Sequence, residues 1–424
     1  MKHECGETKA KSHIFGASKI KAKNRNTYSS STAKTTPMKK FIFFTLSVLF
    51  MCPAFAQEDG NSAENRVITT GVPFLLIAAD ARAGGMGDIG VVSSPDAYSQ
   101  QWNPSKYAFA ISKQGIGVTY TPYLSQLVND IFLGNITYYN RLTERSALGA
   151  SFRIFSLGEV ELRQTADDIG IIEKPNELTV DLSYALRLSD RFSMAVTGRY
   201  LRSDLRFGFN NEDATAAGSF AVDVSGYYQS EELPFNDFDG RWRAGFNISN
   251  VGPKIKYDDA GQENFLPTNL ALGAGFDFIL DPFNRVGVYT QFNKLLVPTP
   301  QDFDGDGDID AEDDAIYNET SFLNGIFKSF SDAPDGFSEE LKEFTWSLGA
   351  EYWYQDAFAF RAGYFNESND KGSRKFLSLG AGFKYTTINI DLSYLFSTSQ
   401  IRSPLEGTLR FGLTFNFGDE YTEY

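Results

Sequence analysis

The stretch Ile388–Phe396 reads INIDLSYLF and decides the fold class. Every second residue in it is isoleucine, leucine, tyrosine or phenylalanine, whereas Asn389, Asp391 and Ser393 stand between them on the opposite phase. Successive side chains of a β-strand point to opposite faces of the sheet. The stretch therefore predicts a strand with one apolar face and one polar face.

The same alternation recurs along the chain, for example in Leu178–Leu186 and Leu409–Phe417. We predict fourteen strands, near residues 115–122, 131–140, 146–155, 178–188, 192–202, 219–228, 242–249, 269–278, 284–294, 344–354, 358–365, 376–385, 388–396 and 408–417. Short connections alternate with long ones, and only the link 229–241 is longer than its place requires. An even strand number with this alternation is typical of a transmembrane β-barrel whose two termini face the periplasm.

A secretory signal peptide precedes the strands. Met38–Lys40 is basic, Phe41–Met51 is apolar and Ala54–Ala56 offers a small-residue cleavage site. We interpret residues 1–37 as a mis-called start or a leader extension, 38–56 as the signal peptide, 57–113 as an N-terminal periplasmic or plug segment, and 114–424 as the barrel. The alternative is a soluble β-sandwich or soluble barrel, but the signal peptide and the aromatic content favour the bacterial outer membrane.

The residues that follow the signal peptide lack two side-chain types that carry much of protein chemistry, the thiol of cysteine and the imidazole of histidine. Both cysteines, Cys5 and Cys52, and both histidines, His3 and His13, precede residue 57. Disulfides, Cys–His pairs and Ser-His-Asp triads are therefore excluded from the exported part, and so is a histidine base for a barrel hydrolase. We expect no enzyme. The formal net charge of −15 argues against a nucleic-acid partner.

The segment between the signal peptide and the first strand does not alternate. It contains the glycine-rich stretch Ala83–Gly90 and, further on, Ser94–Ala97 and Trp102–Pro104. Clustered glycines indicate close backbone approach, and Asn-Pro indicates a turn. The glycines at 85, 87 and 90 also satisfy a dinucleotide-binding spacing, but no βαβ unit surrounds them.

This segment resembles the N-terminal hatch of the FadL-like outer-membrane proteins, and more closely that of the PorV family, the FadL-like component of the type IX secretion system. The resemblance implies an all-β, 14-stranded FadL-like barrel with a hatch. The residues that match the hatch are Gly84, Gly85, Gly87, Asp88, Asp96, Trp102, Asn103 and Pro104. It further implies that the protein takes secreted cargo, by the cargo's C-terminal sorting domain, from a large translocon barrel to a sortase-like surface attachment complex.

The alternative function is a FadL-type channel for long-chain fatty acids or other hydrophobic compounds. Such a channel needs an apolar pocket in the lumen. The polar phase of the predicted strands instead places mixed charges there, namely Asp181, Arg199, Asp223, Arg243, Asp277, Arg361, Asp391 and Arg410. These charges favour pairing with one another and with the hatch.

One metal-binding pattern stands in the longest predicted loop, 295–343. Residues 302–313 read DFDGDGDIDAED, which resembles a calcium-binding loop. The expected Ca²⁺ ligands are Asp302, Asp304, Asp306, Asp308, Asp310 and Asp313. Val297–Pro300 cannot form the entering helix of an EF-hand. The alternative is a solvated acidic loop tip. We expect the phenylalanines later in this loop to pack on the barrel rim rather than to meet a partner.

Overall fold

The computed structural model describes residues 66–421 except 126–127, 164, 166–168, 206–215, 258–261, 304, 306–308, 310 and 400–405. Within this part, fourteen long antiparallel strands form the wall of a barrel, as predicted. They are β1 (Ser112–Pro122), β2 (Ile131–Arg141), β3 (Ser146–Leu157), β4 (Asn176–Arg187), β5 (Phe192–Asp204), β6 (Ala217–Gln229), β7 (Asp239–Val251), β8 (Asn269–Asp281), β9 (Asn284–Leu295), β10 (Thr345–Tyr354), β11 (Phe358–Asn366), β12 (Lys375–Tyr385), β13 (Ile388–Ser397) and β14 (Leu409–Glu420).

The barrel is closed because each strand pairs with the next and β1 pairs with β14, where Ser112 lies opposite Glu420. Closure matters in a membrane, since an open edge would leave backbone N–H and C=O groups unpaired in lipid. Most observed strands extend beyond their predicted bounds, because their ends project past the region where one face must be apolar.

The two faces of the wall differ as the alternation predicts. Leu182 and Phe220 are 62% and 68% exposed on the outer face, which is the surface expected to meet lipid. Asp181 and Arg199, one phase away on β4 and β5, are buried in the lumen. The outer-membrane register predicted from the sequence is therefore the one that the structure has.

The connections divide the barrel into two ends. The short-turn end carries 142–145, 188–191, 230–238, 282–283, 355–357 and 386–387; the long-loop end carries the other connections. The link that seemed too long is shortened to 230–238, and within it Leu233–Pro234 pairs back on Asp239–Gly240.

The lumen is filled by residues 66–111, called the hatch below. The hatch contains a 3₁₀ turn (Pro73–Leu76), α1 (Ala81–Gly84), α2 (Ser99–Trp102) and a second 3₁₀ helix (Pro104–Phe109). Phe74 stacks on Phe155 near the long-loop end, with 6.0 Å between ring centroids. Tyr107 stacks on Tyr139 near the short-turn end at 4.8 Å. The hatch therefore runs the length of the lumen.

The first and last described residues lie at different ends of the barrel. The first described residue, Arg66, lies at the long-loop end, where its Nη1 is 3.0 Å from Glu339 Oε2. Strand β14 ends at Glu420, at the short-turn end. The prediction that both termini face the periplasm stays a prediction, because the residues before Arg66 and after Tyr421 lie outside the described part of the chain.

The connection from β9 to β10 is folded rather than extended. It contains α3 (Ala311–Glu319), α4 (Phe322–Lys328) and α5 (Phe337–Lys342). None of the helices in the described residues is long and apolar enough to cross a membrane.

Candidate functional site

The hatch is anchored to the wall through Arg82. Asp80 caps α1, because its Oδ1 accepts a hydrogen bond from the Ala83 amide at 2.7 Å, and this places Arg82 in the first turn. Arg82 Nε and Nη2 donate to the two carboxylate oxygens of Glu351 at 2.9 and 2.8 Å. Such a bidentate pair is strong and fixes direction as well as distance.

The same pair extends into a buried network of alternating charge. Glu351 Oε1 also accepts from Arg361 Nε at 2.7 Å, and Arg361 Nη1 donates to Asp391 Oδ1 at 2.7 Å. On the hatch side, Arg82 Nη1 donates to Asp96 Oδ2 at 2.7 Å. Five charged groups from the hatch and three strands are thus joined, which offsets the cost of burying each of them.

The predicted hatch glycines lie against the wall. Gly87 has a φ of +75°, and its amide donates to Ser378 Oγ at 2.8 Å. Asp88 follows with a φ of +61° and accepts from Arg410 Nη1 at 2.9 Å. Gly84 packs on the Arg410 side chain. The glycine-rich stretch therefore brings backbone and one carboxylate within hydrogen-bonding distance of β12 and β14.

Glycines of the wall lie directly against the glycine-rich stretch of the hatch. A β-carbon at Gly363 would lie 2.0 Å from the Met86 carbonyl carbon, and one at Gly85 would lie 3.0 Å from Gly380 Cα. At both points backbone packs on backbone, so neither side tolerates a side chain without moving. The hatch glycines were among the predicted site residues, but their partners in β11 and β12 were not.

The second half of the predicted motif closes the hatch on itself. Trp102 Nε1 donates to Asp80 Oδ2 at 2.6 Å. Asn103 Nδ2 donates to Val91 O and to Gly226 O, both at 3.0 Å, which ties the turn to β6. Pro104 begins the second 3₁₀ helix, as the Asn-Pro turn suggested. The eight predicted hatch residues are therefore all in the lumen, around α1 and α2.

Lys106 is a hatch residue that the sequence analysis did not select. It is fully buried, and its Nζ donates to Gly90 O at 2.7 Å and Ser93 Oγ at 3.0 Å. A lysine inside a non-alternating plug segment has no sequence signal that separates it from a surface lysine. Its role depends on which carbonyl groups the glycine-rich stretch turns toward it.

At the long-loop end, the helical connection is fixed at its base by buried ion pairs. Lys294 Nζ on β9 is 2.7 Å from Glu340 Oε1 and 2.6 Å from Glu343 Oε2. Lys371 Nζ is 2.7 Å from Glu339 Oε1 and 3.0 Å from Glu343 Oε1. These contacts join α5 to β9 and to the connection 367–374.

Two carboxyl groups at this base have shifted pKa values. Burial raises the pKa of Asp332, and the neighbouring carboxylates of Glu343 and Glu340 raise it further. Burial also acts to raise the pKa of Glu339, but the hydrogen bond from Lys371 outweighs it and the pKa is lowered. The pKa values of two neighbouring acids at the base are therefore shifted in opposite directions.

Above this base the helices present an apolar face to solvent. Leu323 and Phe327, one turn apart on α4, are 52% and 75% exposed, and Phe337 and Leu341 on α5 are 75% and 54% exposed. Phe330, between the helices, is 47% exposed. We call these five residues the apolar helix face. The expectation that the phenylalanines of this loop pack on the rim is wrong for Phe327 and Phe337, because α4 and α5 turn them outward.

The calcium-loop prediction falls mostly outside the described residues, namely at Asp304, Asp306, Asp308 and Asp310. The two ends of the loop are described. Asp302 Oδ1 accepts from the Gly305 amide at 2.5 Å, and buried Asp313 Oδ1 accepts from the Phe303 amide at 2.5 Å. These bonds bring the first and last predicted ligand positions to the same turn, just before and inside α3.

The family of the type IX secretion system protein PorV matches residues 60–302, more than half of the chain. The chain belongs to the PorV family. The match spans the hatch, β1–β9 and the start of the calcium-loop pattern. The resemblance drawn from the hatch residues alone is therefore confirmed over a much longer region. No curated protein matches the chain.

Solved channel structures also resemble this PorV-family chain. The CymD monoaromatic hydrocarbon channel is 15% identical, with 81% of this chain and 98% of that chain covered and a TM-score of 0.45. The Pseudomonas putida toluene transporter TodX is 12% identical, with 79% and 95% covered and a TM-score of 0.44. A Pseudomonas aeruginosa FadL homologue is 11% identical, with 83% and 99% covered and a TM-score of 0.42.

The lumen of this PorV-family barrel is lined by charges that satisfy one another. Arg199 Nε is 2.6 Å from Asp181 Oδ1, and Arg199 Nη2 is 2.9 Å from Asp223 Oδ2. Arg243 Nε is 2.7 Å from Asp277 Oδ2. With the pair of Arg361 and Asp391 and the contact of Arg410 with Asp88 of the hatch, these pairs account for the eight lumen charges predicted from strand phase.

Proposed function

We propose that this protein is a non-enzymatic carrier of the type IX secretion system. In this role it accepts secreted cargo by the C-terminal sorting domain as the cargo leaves a large translocon barrel. It then passes the cargo to a sortase-like surface attachment complex. Membership of the PorV family supports the pathway, and the apolar helix face is the observation that carries the carrier role.

An exposed apolar patch is unusual on a surface that meets only water. Two i,i+4 pairs, Leu323 with Phe327 and Phe337 with Leu341, form one side of two adjacent helices. Helix α5 is fixed at its base by buried ion pairs of Glu339 and Glu340, so its part of the patch is presented rigidly. A rigid apolar patch with large aromatic side chains favours protein binding.

The alternative role, uptake of fatty acids or other hydrophobic compounds, requires an apolar path through the lumen. In the described part of the chain, the hatch spans the lumen and the lining charges are paired across it. An acyl chain would have to separate these pairs. Each buried charge left without its partner would cost on the order of 3–5 kcal/mol. This cost favours the carrier role.

The test is a pull-down from detergent-solubilised outer membranes, with co-purifying proteins identified by mass spectrometry. The wild type should recover the translocon barrel together with secreted proteins that share a C-terminal sorting domain. The double substitution Phe327→Ser, Phe337→Ser should lose the cargo proteins. The control Ile169→Ser, at a 94% exposed position in another long loop, should keep them. Recovery of the bare barrel with bound acyl chains would support the uptake channel instead.

We also propose that residues 302–313 bind Ca²⁺ and hold the start of the helical connection. The hydrogen bonds of Asp302 and Asp313 within one turn support this assignment. Purified protein should bind Ca²⁺ by titration calorimetry, and Asp306→Asn should weaken that binding at least tenfold. Equal Ca²⁺ binding by the variant and the wild type would place the ion at another site. No Ca²⁺ binding by either protein would refute the proposal.

A further inference from the structure

The longest connection at the short-turn end, 230–238, folds back on the strand that follows it. The other links at this end contain two to four residues, whereas this one contains nine. Leu233 pairs with Gly240, and the Phe235 amide donates to the Phe238 carbonyl at 2.9 Å, which closes a tight turn. We call residues 230–240 the flap. Two residues are enough to join neighbouring antiparallel strands, so the length of the flap calls for another explanation.

The flap packs on the outer face of the wall. Trp242 of β7 lies directly opposite Phe276 of β8, and their ring centroids are 4.6 Å apart. Each of the two is followed by a residue buried in the lumen, Arg243 and Asp277, so both rings point outward. Phe235 of the flap packs edge-on against Phe276 at 6.0 Å. The flap therefore extends the lipid-facing surface of the barrel.

Gly240 makes this close packing possible. A β-carbon there would lie 2.2 Å from Phe276 Cζ and 2.8 Å from Phe235 Cε2. Phe238 adds to the cluster, because its ring stacks on Phe235 at 4.9 Å and lies 5.4 Å from the ring of Phe278. Aromatic rings of the flap, β7 and β8 thus form one continuous apolar surface.

That surface remains open to the surroundings of the barrel. Phe235 and Trp242 are 47% and 52% exposed. Leu233 precedes Phe235 by two residues in the paired part of the flap, so it lies on the same side, and it is 40% exposed. An exposed apolar surface of this kind indicates contact with a membrane or a protein.

The charged groups of the flap lie away from this surface. Glu232 Oε1 is 2.8 Å from Nη2 of Arg241, which is buried and has the lumen-facing phase of β7. Glu231 Oε1 is 2.6 Å from Nη2 of Arg191, in the turn 188–191. Asp237 is exposed at the tip of the turn. The flap is therefore amphipathic, with one apolar side and one charged edge.

Continuity with the lipid-facing wall identifies lipid as the partner. In membrane barrels, aromatic side chains gather where the acyl chains meet the headgroups, at both edges of the apolar band. The exposed carboxylates of Asp237 and Asp239 would repel anionic headgroups, so the flap fits a zwitterionic leaflet. We propose that the flap inserts Leu233 and Phe235, beside Trp242, into the headgroup–acyl boundary of the phospholipid leaflet at the short-turn end. This anchor is independent of the proposed carrier role.

The test compares two labelled positions of the flap, Phe235→Cys on its apolar side and Asp237→Cys at its tip. Each variant carries the same small fluorophore in a phosphatidylcholine nanodisc, in which both membrane faces are open to water. A nitroxide placed near the headgroup end of the acyl chains should quench the probe at 235 roughly threefold more than the probe at 237. Aqueous iodide should show the opposite preference.

Equal quenching of the two probes by iodide would overturn the proposal, because the apolar side would then face water and remain free for a protein partner. Equal quenching by the nitroxide would also overturn it, because the flap would then have no distinct lipid side. Leu233→Cys provides a second probe of the apolar side if the Phe235→Cys barrel does not fold. Heat-modifiable migration in SDS gels shows which variants are folded.

A change of lipid tests the headgroup assignment. Replacing half of the phosphatidylcholine by phosphatidylglycerol should leave nitroxide quenching at 235 unchanged or lower it, because Asp237 and Asp239 repel the added negative charge. An increase in this quenching would mean that anionic headgroups hold the flap and would overturn the zwitterionic assignment. The probe at 237 in the same nanodiscs serves as the control for a general change in lipid packing.

Discussion

Glu351 is the residue at which hatch and wall are most directly joined, because its carboxylate accepts from both Arg82 and Arg361. Glu351→Gln keeps the shape but leaves two buried guanidinium groups with one carboxylate fewer. We expect a loss of about 3 kcal/mol in the free energy of unfolding, the lower end for breaking a buried ion pair. Thermal unfolding in detergent, followed by the gel shift of the heat-denatured barrel, measures this loss.

The matched control is Glu231→Gln. Glu231 also pairs with an arginine, at 2.6 Å from Arg191 Nη2, but both side chains are about half exposed. Exposed pairs contribute little to stability because water and salt screen them, so the melting temperature of this variant should hardly change. If Glu351→Gln melted at the same temperature as Glu231→Gln, the hatch would not be held by charge pairing.

Among the elements, strands β11 and β12 are shaped to receive the glycine-rich part of the hatch. Gly363→Ala would place a methyl group 2.0 Å from the Met86 carbonyl carbon, so the hatch must shift. Gly198→Ala makes the same change in β5, where nothing lies within 4 Å of the added carbon. We expect ion conductance in planar bilayers to rise for Gly363→Ala and to stay at the wild-type level for Gly198→Ala.

If both alanine variants conducted like the wild type, the hatch would not be the seal. If both leaked, the conductance would reflect general loosening of the wall rather than displacement of the hatch. Only a difference between the two substitutions supports the backbone contact as the feature that keeps the lumen closed.

The connection β9–β10 should respond to pH through Asp332. Its pKa is raised by burial and by the carboxylates of Glu343 and Glu340, so the folded connection prefers the protonated form. The stability that this group contributes is present at low pH and is lost as pH rises through its raised pKa. Hydrogen-exchange protection at residues 296–303, corrected for intrinsic rates, should fall as the pH rises above the ordinary titration range of an aspartic acid.

Asp332→Asn isolates that effect, because the amide oxygen can still accept from the Thr299 amide, as Asp332 Oδ2 does at 3.1 Å. Protection in this variant should change little over the same interval. Glu339 has the opposite behaviour: its lowered pKa gives stability that is lost only below its ordinary range. A steeper fall in Asp332→Asn than in the wild type would contradict the assignment to Asp332.

The strands were predictable and the hatch contacts were not, for a physical reason. A lipid-facing strand must be apolar at every second residue, so the sequence of Ile388–Phe396 alone shows which of its residues face lipid. Arg82 and Glu351 are 269 positions apart, and only barrel closure brings them together. The same holds for Gly363 and Met86. Resemblance could mark the hatch stretch, but only the structure pairs it with the wall.

The outward orientation of Phe327 and Phe337 could not be predicted from the sequence either. The sequence of a long loop does not show whether its phenylalanines are buried or exposed, and burial is the commoner outcome. For Phe337, the base of ion pairs around Lys294 and Lys371 decides the matter, because it orients α5. That base joins a strand, a helix and a second connection, so no local pattern reveals it.

At the scale of the whole molecule, the wall is closed and the lumen is filled, so interactions with other molecules belong to the two ends. The long-loop end carries the apolar helix face and the first described hatch residue, Arg66. The short-turn end carries the cavity lined by Arg361 and Asp391 and the end of β14. The carrier role requires that the long-loop end face the cell exterior, because cargo is attached at the surface.

Cysteine labelling in intact cells tests this orientation. Both cysteines, Cys5 and Cys52, precede residue 57, so the part of the chain expected to be exported has no cysteine and an introduced thiol is labelled selectively. Phe337→Cys, at a 75% exposed position of α5, should react with a membrane-impermeant maleimide in intact cells. Asp356→Cys, in the turn between β10 and β11 with a side chain 71% exposed, should react only after lysis. The reverse pattern would place the apolar helix face in the periplasm, where it could not present cargo to a surface complex.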